Sequence, residues 1–300
     1  MNSPRNHLLT ALSAGAGLLL GATAATAQVP GPTLTPAEIA KILASPDRSA
    51  ADRTNDQRRK PADMLAFIGL RGGIVAVDLS AGGGYTTELL ARSIGPTGQV
   101  YGQSRPRNPD QAPPPRPAAP EGNANPSASS AATPAPAAAP PPPAGPPRPS
   151  PVALADRQDK LKAAGIAAAP ITSVVRPFED PMPAELADGR LDLVTLMFNY
   201  HDLGFLKVDR DAMNKAVFKA LKPGGIYVIA DHSGRPGTGI TESGTLHRVE
   251  EAFLRKEVEA AGFKLVAEGN FLRNPGDPRD KNTPDPPQPK DEFVLKFAKP

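Results

Sequence analysis

Short apolar blocks alternate with helical patterns along most of this chain. Residues 74–79 (Ile-Val-Ala-Val-Asp-Leu) form a β-branched run. Further strand patterns fall at 99–103, 171–175, 191–198, 226–230, 263–271 and 292–297. The run at 191–198 is nearly all apolar, as a strand covered on both faces should be. Between the runs, apolar positions recur at helical spacing. Helices are predicted over 35–43, 49–59, 61–69, 86–93, 152–164, 211–221 and 241–261. Thr35 and Pro36 are a cap and first-turn proline, and Gly165 and Gly262 are C-terminal stops. Asp209, Arg210 and Asp211 are read as a cap. Strands alternating with helices predict an α/β fold, a parallel sheet with right-handed crossovers and helices on both faces. The closing strand pair is expected to be antiparallel.

The first strand leads into the chain's most informative segment. Asp78-Leu79-Ser80-Ala81-Gly82-Gly83-Gly84 is followed by an amphipathic helix. Glycine suits a bend with φ > 0 or a close approach to a ligand. The helix N-terminus behind it offers free N–H groups and a positive dipole end. A loop of this kind binds the polar part of a nucleotide-like cofactor. Gly82 and Gly84 fit the start of a dinucleotide fingerprint, but Thr87 stands where its third glycine belongs. The bland reading is a βα turn without a ligand.

Composition divides the chain. Of its 38 prolines, 18 lie between Arg105 and Pro151, among Ala, Ser and Gly. Such a stretch buries too little apolar surface to offset its ordering entropy, so 105–151 is read as a disordered or polyproline insertion. At the N-terminus Arg5, an apolar run to Ala22 and Ala25-Thr26-Ala27 form a secretory signal pattern over 1–27, with Gln28 as the mature start. The mature protein is expected to be exported, in the periplasm, without a stable membrane anchor. Residues 28–73 read as N-terminal helices and 74–300 as the main domain, interrupted by the insertion. No Cys is present, which excludes disulfides and thiolate metal sites. The net charge of +3 falls to +2 without Arg5, and no basic stripe with interleaved aromatics points to nucleic acid.

The remaining chemistry sits at strand ends. His201 and Asp202 follow the fourth strand, and Asp231 and His232 end the fifth. That edge is where open α/β sheets hold ligands. His201 ranks first and His232 second as general base, with Asp202 beside them. Each could equally be a loop or capping residue. His247 is expected to begin a helix with Glu251 four residues on. A His/Asp metal site is an alternative, since neutral imidazole is a common ligand, but no helical His-x-x-x-His spacing supports it and no metal is expected. The charged segment at 49–59 is either a solvated helix with i,i+4 pairs or a cover over the ligand edge.

The Asp78-x-x-x-Gly82-x-Gly84 spacing resembles motif I of class I S-adenosylmethionine-dependent methyltransferases. Leu221-Lys222-Pro223-Gly224-Gly225 is similar to that family's helix-to-strand turn, and Asn199-Tyr200-His201-Asp202 to its fourth-strand end. More narrowly, Asp56-Gln57-Arg58-Arg59-Lys60-Pro61, Asp231-His232-Ser233 and Leu246-His247-Arg248-Val249 resemble motifs of bacterial predicted methyltransferases with signal peptides. The resemblance covers about 34–300 apart from the insertion. It implies a seven-stranded, mostly parallel, Rossmann-like methyltransferase sheet with an antiparallel last strand.

The implied cofactor is S-adenosylmethionine. Asp78, Gly82 and Gly84 would serve its methionine part, Gln103 its ribose, and Glu179 or Asp180 its adenine. Asn199 to Asp202 would line the meeting point with the acceptor, a small molecule or protein. Gln103 departs from the family, which carries an acid there. Two other functions fit the sequence: a non-catalytic module holding a small ligand, and an interaction protein whose Pro-rich insertion docks a partner.

Overall fold

A computed structural model of the protein describes residue 1 and residues 32–106, 148–282 and 289–300. The signal-like segment, nearly all of the Pro-rich insertion and part of the loop before the last strand lie outside the described residues. The elements run α1 (Pro36–Ala44), α2 (Ala50–Arg59), α3 (Pro61–Ile68), β1 (Val75–Leu79), α4 (Tyr85–Ile94), β2 (Gln99–Ser104) and α5 (Ser150–Ala163). They continue β3 (Ile171–Val175), β4 (Leu191–Met197), α6 (Tyr200–Phe205), α7 (Arg210–Ala220), β5 (Leu221–His232), α8 (Glu251–Ala260), β6 (Lys264–Gly269) and β7 (Glu292–Ala298).

The strands form one sheet in the order β3-β2-β1-β4-β5-β7-β6. β1 to β5 are parallel, and β7 runs antiparallel between β5 and β6. This is the sheet the resemblance implies. Strand order reverses between β1 and β4, and both C-terminal ends open on one edge, the crest.

Side-chain alternation assigns the two faces. Ala76, Leu193 and Val228 pack with α1, α3 and α4, while Val77, Val194 and Ile229 pack with α7 and α8. Asp78 and Thr195, register partners, fall on the α4 side. Local chemistry sets the helix ends. Thr35 and Glu38 make a reciprocal capping box at α1. Asp209 accepts from the Ala212 amide at α7, as the sequence predicts (3.0 Å). Lys60, left-handed at φ 42°, closes α2 and opens α3 with no spacer. The α2 C-terminus is thereby fixed over the crest.

Three expectations need correction. Residues 241–250 form turns, not a helix; α8 starts at Glu251, and His247 lies in the loop before it with φ 51°. Lys222-Pro223-Gly224-Gly225 lies inside β5, where Gly224 adopts φ 75° and the pairing with β4 shifts register. Ser150 and Pro151 open α5, where proline needs no N–H partner, so they belong to the helix rather than the insertion. Among the described residues, no helix is long and apolar enough to cross a membrane.

Candidate functional site

The glycine loop is held from beneath by buried polar contacts. Asp78 accepts from Thr87 Oγ1 (2.7 Å) and Thr195 Oγ1 (2.8 Å), tying β1 to α4 and β4. Burial raises its pKa to about 6 despite those bonds. Asp78 therefore shapes the loop, with both oxygens engaged. Thr87 now has a role: its hydroxyl joins helix to strand where a dinucleotide site packs a glycine. Gln103 is fully buried; its Oε1 accepts from the Ser80 amide (3.0 Å) and its Nε2 donates to the Arg176 carbonyl (2.7 Å). Both ends of that amide are used inside the protein, so Gln103 is not turned toward a ribose. Ser104, the next residue, keeps partial exposure at that strand end.

The loop's outer side is open. Gly82 (φ 53°) and Gly83 are exposed, and a Cβ on Gly83 would meet nothing within 4 Å. Their amides make no backbone hydrogen bond among the described residues, whereas those of Ala81 and Gly84 do. Gly84 has a different reason to be glycine. At φ 79°, its Cβ would stand 2.7 Å from Arg157 Cδ and 2.8 Å from Leu154 Cδ2.

Arg157 of α5 clamps this loop. Its Nε donates to the Gly83 carbonyl (2.5 Å), and its two terminal nitrogens donate to Asp52 (2.8 and 2.9 Å). It also pairs with Glu88. Burial works against the Asp52 charge, but the Arg157 bonds outweigh it and hold the carboxyl below its usual range.

The charged residues of α2 follow suit. Asp56 takes a bidentate pair from Arg48 (2.6 and 2.8 Å) and the Tyr85 hydroxyl (2.7 Å). Arg58 donates to Glu292 (3.0 Å). No i,i+4 ion pair forms within α2 among the described contacts, so the cover reading holds over the solvated one.

Arg59 lies over the rings of Phe198 (4.7 Å) and Tyr85 (5.4 Å), with its Nε buried and lacking a hydrogen-bond partner. Burial, then Arg58, pull its pKa down to about 10. Beside it a small apolar recess is walled by Met64, Leu65, Leu89 and Met197. Phe198 carries φ 58° and Ser80 φ 55° at the ends of adjacent strands. Bulky or β-carbon-bearing residues rarely adopt that region, and such strain gathers at functional sites.

Three of the chain's four histidines, all those after residue 7, converge at the crest. His201 and His232 are 5.2 Å apart between ring centroids, and His201 and His247 5.6 Å. His201 is buried: Nδ1 lies 2.6 Å from Asp231 Oδ1, and Nε2 3.2 Å from Asp202 Oδ1. The same Asp202 oxygen is 3.0 Å from His247 Nδ1. Burial disfavours the charged His201 ring, yet Asp231 and Asp202 prevail and raise its pKa to about 9. Such a ring holds its proton at neutral pH, which argues against His201 as the resting general base.

His232 goes the other way. Burial, Lys290 and His201 push its pKa well down. Its Nδ1 lies 2.9 Å from Glu292 Oε1 but off the line of a hydrogen bond. Its ring stacks on Phe198. His247, 43% exposed, is the cluster's outward ring. Asn199 Nδ2 donates to Asp202 (3.0 Å), while its Oδ1 is buried with no donor.

The proposed adenine acids are engaged elsewhere. Asp180 is exposed and pairs with Arg176, and Glu179 accepts from the Asp209 amide (3.3 Å). Arg157, Glu88 and Glu292 were not foreseen, because their partners lie far away in sequence. Arg59 and His247 stood in the quoted motifs without an assigned role.

No family model and no curated protein sequence matches this chain. Solved structures do match in fold. An S-adenosylmethionine-dependent methyltransferase from Aquifex aeolicus aligns over 89% of this chain and 100% of its own, at 15% identity and TM-score 0.47. A TehB-like methyltransferase from Corynebacterium glutamicum covers 83% and 98%, at 15% and 0.42. The [4+2]-cyclase SpnF covers 91% and 99%, at 15% and 0.49. The strand order in hand is the firmer ground: it is that of the seven-stranded, mostly parallel Rossmann-like sheet that the sequence resemblance implies.

Proposed function

We propose that this protein transfers a methyl group from S-adenosylmethionine to a small acceptor held at the histidine–carboxylate cluster. One observation carries the reading: an open glycine loop and all the described histidines share one crest of the sheet. The residues present fit the donor at its amino-acid end. Gly82 and Gly83 offer amides without acceptors and space that a side chain would fill, and Arg59 offers an unpartnered buried nitrogen to a carboxylate. When bound, the donor supplies an electrophilic methyl group on a sulfonium.

The protein's own task is then alignment and proton removal. The Tyr85 and Phe198 rings and the apolar recess exclude water from the loop's flank. Asp231 fixes the His201 ring, His201 fixes Asp202, and Asp202 orients outward-facing His247. An acceptor proton passes to the outward-facing His247 ring, at the nitrogen that Asp202 leaves free.

Calorimetry of protein starting at Gln28, with S-adenosylmethionine and S-adenosylhomocysteine, tests the donor site. Micromolar binding of both is expected; no heat with either defeats the proposal. A radiolabelled methyl-transfer screen over hydroxyl, thiol and amine acceptors tests turnover. The absence of an acid at the β2 end favours a second reading, a binding module without turnover, which predicts binding and no label transfer. Export is part of the proposal. N-terminal sequencing of protein from the cell envelope should begin at Gln28, and an intact Met1 there would overturn it.

A further inference from the structure

We infer that His201 Nε2, Asp202 Oδ1 and His247 Nδ1 form a site for a borderline divalent metal ion such as Zn²⁺ or Fe²⁺. Each residue offers one atom, and these atoms all lie within 4.8 Å of one another. The set is two imidazoles and one carboxylate, the donor type such ions take in sites that keep a position open for water or substrate.

The spacing of the three atoms suits a shared ion as well as a hydrogen-bonded chain. Tetrahedral ligands at about 2.0–2.1 Å from zinc stand about 3.3 Å from one another. Asp202 Oδ1 lies 3.2 Å from His201 Nε2 and 3.0 Å from His247 Nδ1. Both lie near that spacing, at the long end of the about 2.7–3.2 Å of an N–H···O bond. The contact behind them, His201 Nδ1 to Asp231 Oδ1, is 2.6 Å and is a hydrogen bond. Asp231 thus stands where metal-binding histidines commonly have a carboxylate, on the nitrogen facing away from the ion. It is itself locked, its Oδ2 accepting from the His201 amide (2.8 Å).

The other possible trio, His201, Asp231 and His232, is entirely buried and contains that 2.6 Å pair. It leaves no room for an open position. In the preferred trio His247 is 43% exposed, giving the ion an entry path and a solvent-facing coordination position. Asn199 Oδ1, buried without a donor, belongs to a side chain already bonded to Asp202. The ligands come from α6 and from the loop before α8, so a search for helical histidine spacing passes over them. An acceptor hydroxyl bound at the open position would lose its proton more easily, as metal-bound water does. Metal binding itself stands apart from the methyl-transfer reading.

The test uses full-length mature protein, stripped with chelator and titrated with Zn²⁺ by calorimetry. Co²⁺ is followed in parallel by its visible absorption. One equivalent with sub-micromolar affinity and a tetrahedral or five-coordinate Co²⁺ spectrum are expected. His247→Ala, at a half-exposed position, should fold normally by circular dichroism and weaken Zn²⁺ at least tenfold. Asp231→Asn should weaken it about 10–100-fold. Absence of stoichiometric binding, or affinity unchanged in folded His247→Ala, overturns the site and leaves a hydrogen-bonded chain. Donor binding measured on stripped protein separates this failure from failure of the methyltransferase reading.

Discussion

Replacing Arg157 by Met keeps an unbranched apolar stem and removes the guanidinium from the clamp over the glycine loop. Buried Asp52 then loses its paired cation, while Glu88 keeps its bond from Arg92. Breaking a buried pair from one side costs about 3–5 kcal/mol. The Arg157 side chain retains 17% exposure, so the lower part of that range is expected. The chain has no Trp, so urea unfolding should be followed by circular dichroism with linear extrapolation. Adding Asp52→Asn to Arg157→Met should recover about 1–3 kcal/mol, the coupling typical of contacting residues.

The Asp52 pKa is lowered in the fold, so its contribution is present above the unfolded value of about 3.9 and fades as pH falls below it. The gap between wild type and Arg157→Met should therefore narrow below about pH 4. Loss of the Gly83 anchor should also lower donor affinity. A stability loss under about 1 kcal/mol, or zero coupling with Asp52, would refute the clamp.

Gly82→Ala meets nothing nearer than the Ser80 carbonyl at 3.8 Å, so only its left-handed backbone should cost stability, about 1–2 kcal/mol. Calorimetry should show donor affinity down at least tenfold; unchanged affinity places the ligand elsewhere. Gly84→Ala adds a clash with Arg157 and Leu154 and should lose about 2–4 kcal/mol in urea unfolding. Asp78 has its folded pKa raised to about 6, so its contribution is complete below about pH 4 and is lost as pH rises through 6. Relative to Asp78→Asn, wild-type stability should fall by ~3 kcal/mol between pH 4 and 7, and a flat difference would show that Asp78 is not desolvated.

The sheet was legible because its signals are local. β-branched runs, a glycine loop and capping residues each act within a few positions, and β3 falls where the pattern placed it. The 241–250 segment was not, since its polar content suits helix and turn alike and contacts with Asp202 and Gly239 decide it. At the site, His201 and His232 were placed at the crest by topology alone. Their charge states were not, because burial and, apart from Asp202, the charged groups that decide them come from distant segments. Gln103 was misread for a related reason. Its strand position was visible, but not that its side chain turns inward to the Ser80 amide.

That inward turn has a consequence for binding. With Ser80 and Ala81 both bonded to Gln103, the bend keeps its shape in the empty protein. A preorganised loop has little conformational freedom left to surrender, so affinity is not eroded by ordering it. Amide protons at Ser80 and Ala81 will exchange slowly with or without ligand, and occupancy will register as new protection at Gly82 and Gly83.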